Sequence, residues 1–251
     1  RWVKGCLIED SNSIPLYAED SYLKEFKARV VKSGPKFVVL DRTAFYPESG
    51  GQPSDTGILV SGESKVRVFK VLRRGFEIFH YIEGELEKGL EVHGVIDWAH
   101  RFWNMRRHSC EHLLTNLFEK AGTGPKVYSD LTRLEFMPSS IGEEDLKKVE
   151  SEFKEVVEAD LPIRIYYADK SKVDVGDDVR KLRFLEKIPR SVGSLRMVEV
   201  LGYSPIFCFG THVKSTGEIG SLSSLRLESG RKNRKIVYFS LVPATLKKST
   251  D

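Results

Sequence analysis

The sequence predicts an α+β protein in two parts: a small β-barrel over residues 1–97 and a two-layer α+β unit over residues 98–251. Three observations carry this expectation. Short alternating segments separated by glycine turns crowd the first 97 residues, the pattern of a small closed sheet. Two longer segments then repeat apolar residues with the helical period. The helices and strands of this second part segregate, as α+β layers do.

Taken in order, residues 26–32 alternate loosely, and residues 36–40 form a short apolar run after Gly34 and Pro35. Residues 65–72 (KVRVFKVL) alternate cleanly, residues 77–82 follow across an Arg-Arg-Gly turn, and residues 90–98 close the barrel. Residues 41–57 (DRTAFYPESGGQPSDTG) interrupt the series; a glycine pair and two prolines predict a structured loop. Asp97 is the expected N-cap of a helix that ends near Gly122, with Phe102, Met105, Leu113, Leu114, Leu117 and Phe118 on its buried side. Residues 126–137 read as strand-like. A second helix is expected over residues 142–160, with Glu143, Glu144 and Asp145 at its positive end and Leu146, Val149, Phe153, Val156 and Val157 as its apolar stripe. Strands are expected at residues 163–167 and 195–201, and a hairpin at 222–228 and 235–241 whose turn carries RKNR.

Composition bounds the function. Apolar residues are 40% of the chain and charged residues 30%, as in a globular protein. No apolar run approaches a membrane span, and the N-terminal stretch lacks the apolar core of a signal peptide. Cys6, Cys110 and Cys208 are too few and too scattered for a disulfide framework, so a reducing, intracellular setting fits. With 40 basic against 36 acidic residues, the net charge of +4 permits nucleic-acid binding and argues for it only weakly.

The chemistry concentrates in two stretches. His108 and His112 lie four apart in the first helix, so both imidazoles leave one face. Such a pair alone is also a common hydrogen-bonded structural feature. Far downstream, CFGTH places Cys208 and His212 four apart. Two imidazoles, a thiolate and a third imidazole make a complete nitrogen and sulfur donor set for one zinc ion per chain. Cys110, two residues from each helical histidine, points elsewhere, and His80, His93 and His100 read as ordinary surface or barrel residues. Gly50 and Gly51 are explained by a tight turn, or by backbone that must approach a ligand, with Gln52 offering its amide. Arg106, Arg107 and the RKNR turn are candidate RNA contacts; a solvated turn accounts equally well for the latter, which leaves Arg107.

Three motifs in this order give a resemblance: TAFYPESGGQ at residues 43–52 with Asp55 and Gly57 behind it, RHSCEHLL at 107–114, and CFGTHV at 208–213 followed by TGEIG at 216–220. The chain resembles the editing domain of alanyl-tRNA synthetases and their free-standing trans-editing relatives. The resemblance implies a translation-factor-like barrel followed by an α+β editing domain. It also implies hydrolysis of the ester that joins a wrong amino acid, serine or glycine, to tRNA-Ala in the cytoplasm. It carries zinc to His108, His112, Cys208 and His212, catalytic or substrate-reading roles to Thr43 and Gln52, and substrate contacts to Gly50, Gly51, Arg107 and Thr211. No segment resembling an aminoacylation domain or a tRNA-binding tail is evident, so a medium-length, free-standing form is expected. Phe209 departs from the family, which usually has glycine there, and a bulky ring would narrow the pocket. Four protein ligands make a closed site, whereas catalysis keeps a position open. Either His212 is a loose ligand, the ion accepts a fifth ligand, or His212 acts beside the metal. A non-catalytic, zinc-stabilised RNA-binding module and a threonyl-type editing domain are the alternatives.

Overall fold

A computed structural model describes residues 13–173, 185–186, 188 and 192–243. Cys6 and the N-terminal stretch lie outside the described residues, as does much of the charged run after Asp169. The first part holds β1 (Ile14–Pro15), β2 (Glu25–Gly34), β3 (Phe37–Leu40), β4 (Arg42–Thr43), β5 (Gly57–Ser61), β6 (Ser64–Arg74), β7 (Glu77–Glu83) and β8 (Glu91–Ile96). Six of these strands close a barrel in the order β2-β3-β7-β6-β5-β8. The period-2 pattern explains the closure: Val66 and Val68 of β6 and Ile78, His80 and Ile82 of β7 are buried while their neighbours face out. β5 is the strand that the sequence reading leaves out. Three apolar residues, Ile58-Leu59-Val60, are too short a run to stand out, yet they pair with both β6 and β8 and complete the barrel.

The chain then enters α1 (Trp98–Lys120), capped as expected: Asp97 Oδ1 accepts the His100 N–H at 3.2 Å. Met105, Cys110, Leu113, Leu114, Leu117 and Phe118 are fully buried on α1, whereas Phe102, expected in the core, is half-buried and stacks on Trp98 at 5.6 Å. After β9 (Lys126–Ser129) and β10 (Arg133–Phe136), α2 (Glu143–Glu158) buries Leu146, Val149, Phe153 and Val156. Next come β11 (Ile163–Asp169), β12 (Ser194–Val200), β13 (Ile206–Phe207), β14 (Leu222–Ser229) and β15 (Lys235–Leu241). A four-stranded sheet runs β14-β15-β10-β9 and a three-stranded one β11-β12-β13. Both sheets contribute to one core with α1 and α2, through Leu134, Phe136, Val237 and Phe239 of the first and Val198 and Val200 of the second. Among the described residues this is thus a mixed α+β protein with a closed barrel and two long helices, α1 and α2.

Barrel and helix are tied by buried charge. Arg101, in the first turns of α1, is fully buried and donates through Nε to both oxygens of Asp55, at 2.9 and 3.0 Å. Its NH2 also reaches Asp55 Oδ2, and its remaining donors meet the Ser21 and Ala44 carbonyls at 2.9 and 2.5 Å. The loop after β4 is therefore fixed against the helix that carries the histidines.

Candidate metal centre

The four expected ligands converge. His108 and His112 project from one side of α1, and the loop after β13 delivers Cys208 and His212 to them. One donor atom from each of the four residues lies within 4.8 Å of every other. Cys208 Sγ is 3.4 Å from His108 Nε2 and 3.5 Å from His212 Nε2. Around a tetrahedral zinc, with bonds of about 2.0–2.1 Å to nitrogen and about 2.3 Å to sulfur, neighbouring donors stand ~3.3–3.6 Å apart. The donor types fit that ion, and the two Cys208–histidine distances match its spacing, while the set as a whole spreads over as much as 4.8 Å.

The orientation of each donor has a visible cause. His108 Nδ1 donates to Gln52 Oε1 at 2.8 Å, which leaves Nε2 unprotonated and turned toward Cys208. Gln52 is itself held on both sides: its Nε2 donates to Thr211 Oγ1 at 2.8 Å, and its Oε1 also accepts the Thr211 N–H at 3.1 Å. His212 Nδ1 is 3.1 Å from Ser109 Oγ, which accepts the Val213 N–H at 3.2 Å. The Gly210 N–H reaches Cys208 Sγ at 3.2 Å. Arg196, fully buried on β12, clamps the same loop by donating to the Cys208 and Gly210 carbonyls at 2.7 and 3.0 Å. Only glycine fits at 210, since a Cβ there would lie 2.0 Å from His108 Cε1.

Burial sets the protonation. It lowers His108 to about 4 and His112 to about 3, and it drives His212 well below its ordinary value. All three imidazoles are neutral at pH 7 and ready to ligate. Burial pushes the Cys208 thiol up to about 11, against the Gly210 N–H and Arg196, which favour the thiolate. Cys110 is pushed well above its ordinary value in the apolar core, consistent with its exclusion from the site.

The remaining expected residues take varied places. Gly50 (φ 56) and Gly51 (φ 82) form a two-residue turn between Ser49 and Gln52, which exchange backbone hydrogen bonds at 3.2 and 2.9 Å. Two consecutive positive φ values make the mirror-image hairpin turn that glycine accepts most readily. That turn presents Gln52 to His108. Thr43 is fully buried, its hydroxyl 2.8 Å from His80 Nε2 and accepting the Phe45 N–H at 3.1 Å. Thr211 is fully buried beneath Gln52. Arg107 is half-buried, with its guanidinium 5.4 Å from the Trp103 ring and 2.6 Å from Asn104 Oδ1. Of the other histidines, His93 pairs with Glu25 at 3.1 Å on the barrel surface, and His100 meets the Ser54 carbonyl at 3.0 Å. The sequence reading leaves out Glu111, which lies beside His112 inside the recognised motif. Buried Glu111 binds Lys126 at 2.6 Å and Thr115 Oγ1 at 3.1 Å, and its Oε2 is 3.7 Å from His112 Nε2. Burial raises its carboxyl, but Lys126 and the two imidazoles outweigh that and bring it down to about 2.

One expected result follows from the Gln52 bonds. Gln52→Ala removes the acceptor that fixes the His108 tautomer, so metal affinity falls about 10–100-fold. Competition with a chromophoric chelator reads it, and unchanged affinity would show that Nδ1 needs no such partner.

The sequence is similar to known proteins. Residues 15–100 match the family model "tRNA synthetases class II (A)", and residues 195–237 match "Threonyl and Alanyl tRNA synthetase second additional domain". The chain is 37% identical over 240 residues to an alanyl-tRNA editing protein AlaX-M of Methanosarcina barkeri, covering 90% of this chain and 98% of that one. It is 34% identical over 236 residues to an AlaX-M of Saccharolobus solfataricus, covering 91% and 98%. An alanine–tRNA ligase of Ignicoccus hospitalis is 34% identical over 230 residues, 86% of this chain and 25% of the ligase. Matched over nearly the whole length of these editing proteins, the chain belongs to the alanyl-tRNA editing protein family.

Proposed function

We propose that this chain hydrolyses the ester of mischarged tRNA-Ala that carries serine or glycine, with one zinc ion held by His108, His112, Cys208 and His212. The observation that carries the reading is the convergence of these four donors with Gln52 of the barrel loop behind His108. The family supports the tRNA partner, since relatives over the full length are alanyl-tRNA editing proteins. Zinc, when bound, supplies Lewis acidity that lowers the pKa of a water or polarises a carbonyl. The protein's own part is to hold neutral imidazoles in one tautomer and to place the loop at Cys208 through Arg196. Gln52 spends its amide on His108 and Thr211, so in this reading it positions a ligand. Arg107, stacked on Trp103, is assigned to the RNA backbone. Among the described residues no helix is long and apolar enough to cross a membrane; a cytoplasmic site of action and a division into two units near residue 97 complete the proposal.

Deacylation of Ser-, Gly- and Ala-tRNA-Ala, with and without chelator, tests it. Chelation should abolish clearance of Ser-tRNA-Ala while circular dichroism stays near native, and Ala-tRNA-Ala should be spared. One observation favours a second reading, a structural ion in a non-catalytic RNA-binding module: four protein donors gather at one point, enough to fill a tetrahedral site without an open position. In that case chelation unfolds the protein, and no ester is cleaved at any metal content.

Selectivity is assigned to Thr43. A pocket that only tolerates a hydroxyl discriminates weakly, whereas one that requires it leaves its own polar groups unpaired when alanine binds. His80 Nδ1 lies 3.4 Å from the Val38 carbonyl; in the tautomer that donates there, Thr43 donates to His80 Nε2 and accepts the Phe45 N–H, and one lone pair remains for a serine hydroxyl. Thr43→Val keeps the shape and deletes the hydroxyl. Losing one neutral hydrogen bond, about 0.5–1.5 kcal/mol, slows serine clearance by roughly 3- to 12-fold and leaves glycine clearance unchanged. An unchanged ratio of serine to glycine rates would remove Thr43 from this role.

A further inference from the structure

Among the described residues, Glu111 places a carboxylate beside the ligand set, 3.7 Å from His112 Nε2. It sits one residue before His112 on α1 and is only 4% exposed. Its two oxygens are in different situations. Oε1 is occupied, accepting from Lys126 Nζ at 2.6 Å and from Thr115 Oγ1 at 3.1 Å. Oε2 is turned the other way, 3.7 Å from His112 Nε2. A buried carboxylate fixed through one oxygen is a rigid group, because Lys126 and Thr115 settle the rotamer. The oxygen that remains faces the metal centre.

The charge balance around that centre asks for such a group. Lys126 and Arg196 are both cationic and lie beside the site, and the proposed ion adds two positive charges. Against them stand the Cys208 thiolate and Glu111. An aminoacyl ester brings one more positive charge, since its α-amine is protonated over much of the neutral range. A cation brought to a buried centre beside a metal and two basic side chains needs a carboxylate partner within hydrogen-bond reach. Covalent geometry places the α-nitrogen ~2.5 Å from the ester carbonyl carbon. An ester bound beside His112 would bring its ammonium within reach of Oε2, which lies 3.7 Å from His112 Nε2.

Resting on the editing reading above, the geometry points to Glu111 Oε2 as the acceptor for the α-ammonium of the esterified amino acid. This makes the site specific for esters with a free α-amine and assigns to Lys126 and Thr115 the task of aiming the carboxylate. N-acylated esters and esters of α-hydroxy acids lack the group that Glu111 reads.

The test uses binding instead of turnover. Two non-hydrolysable probes are compared on the metal-loaded full chain by calorimetry: adenosine carrying a 3′-amide-linked seryl group, and the same molecule with the α-amine replaced by hydroxyl. Wild type should bind the amine probe at least about tenfold more tightly, the scale of a hydrogen bond to a charged group. Glu111→Gln should bring the ratio to about one, with the hydroxyl probe and the metal content unchanged. Equal weakening of both probes by Glu111→Gln means that Glu111 only supports His112, and this overturns the assignment. If the Gln variant loses metal or fails to fold, wild type alone decides. Its preference for the amine probe should fade as pH rises through the amine's own pKa of about 8, while the hydroxyl probe stays flat. A preference unchanged from about pH 6 to 9.5, or no binding of either probe to wild type, overturns it as well. Deacylation of Ser-tRNA-Ala is read separately. If turnover is present without amine selectivity, only this assignment fails; if amine selectivity is present without turnover, only the editing reading fails.

Discussion

Cys208→Ala is expected to strip the metal from the protein and to abolish ester cleavage. Cys208 is the one donor that becomes an anion, and the three imidazoles that remain are neutral and buried. Removing a partner behind a ligand costs about 10–100-fold in metal affinity, and removing the charged ligand itself should cost well over 100-fold. The pH dependence makes the test sharper. The histidines carry no proton at neutral pH, because burial holds His108 at about 4 and His112 at about 3. The Cys208 thiol keeps its proton until about 11 in the metal-free protein. Between about pH 6 and 8, metal binding therefore releases one proton, and affinity should rise about tenfold per pH unit. In Cys208→Ala the slope should be flat. Metal analysis of the purified proteins and chelator competition at three pH values read both effects. Full metal retention in the variant, or an equal slope in both proteins, would remove Cys208 from the ligand set.

What could be read from the sequence follows from how locally each feature is encoded. α1 and α2 were legible because a 3.6-residue apolar period is local, and Asp97 was legible as a cap for the same reason. The ligand set was legible because each half is a pair four residues apart, although 100 residues separate His108 from Cys208. β5 was not legible: its pairing with β8 depends on barrel closure, and three apolar residues carry too short a period. The target of Gln52 was also hidden. The glycines beside it predict a turn, but the contacts that aim Gln52 at His108, its two bonds to Thr211 and the Arg101–Asp55 tie to α1, are tertiary. Arg196 is the strongest case. A guanidinium in the middle of an apolar strand reads as a solvent-facing residue, yet it is fully buried and holds the carbonyls of the Cys208 loop. Buried polar contacts of this kind have no periodic signature, because their partners are set by tertiary packing alone.

Asp55→Ala is expected to be the most destabilising single change in the barrel. Asp55 and Arg101 are both fully buried, and the carboxylate also accepts the Tyr46 N–H at 2.5 Å. The substitution leaves a guanidinium without its counter-charge in the interior, with only the Ser21 and Ala44 carbonyls to meet it. Breaking a buried pair in this way costs about 3–5 kcal/mol, because the surviving charge stays desolvated. For a chain of this size each kcal/mol lowers Tm by about 2–4 °C, so thermal unfolding should fall by roughly 6–20 °C. The penalty comes from the orphaned charge more than from the lost attraction, so Asp55→Ala combined with Arg101→Met should be more stable than Asp55→Ala alone. Calorimetry on wild type, the two single variants and the double variant completes the cycle. The loop that carries Gln52 hangs from Asp55, so metal affinity should drop in the single variant as well. Single and double variants that unfold at the same temperature, or a loss below about 1 kcal/mol, would show that the pair does not fasten the barrel loop to α1.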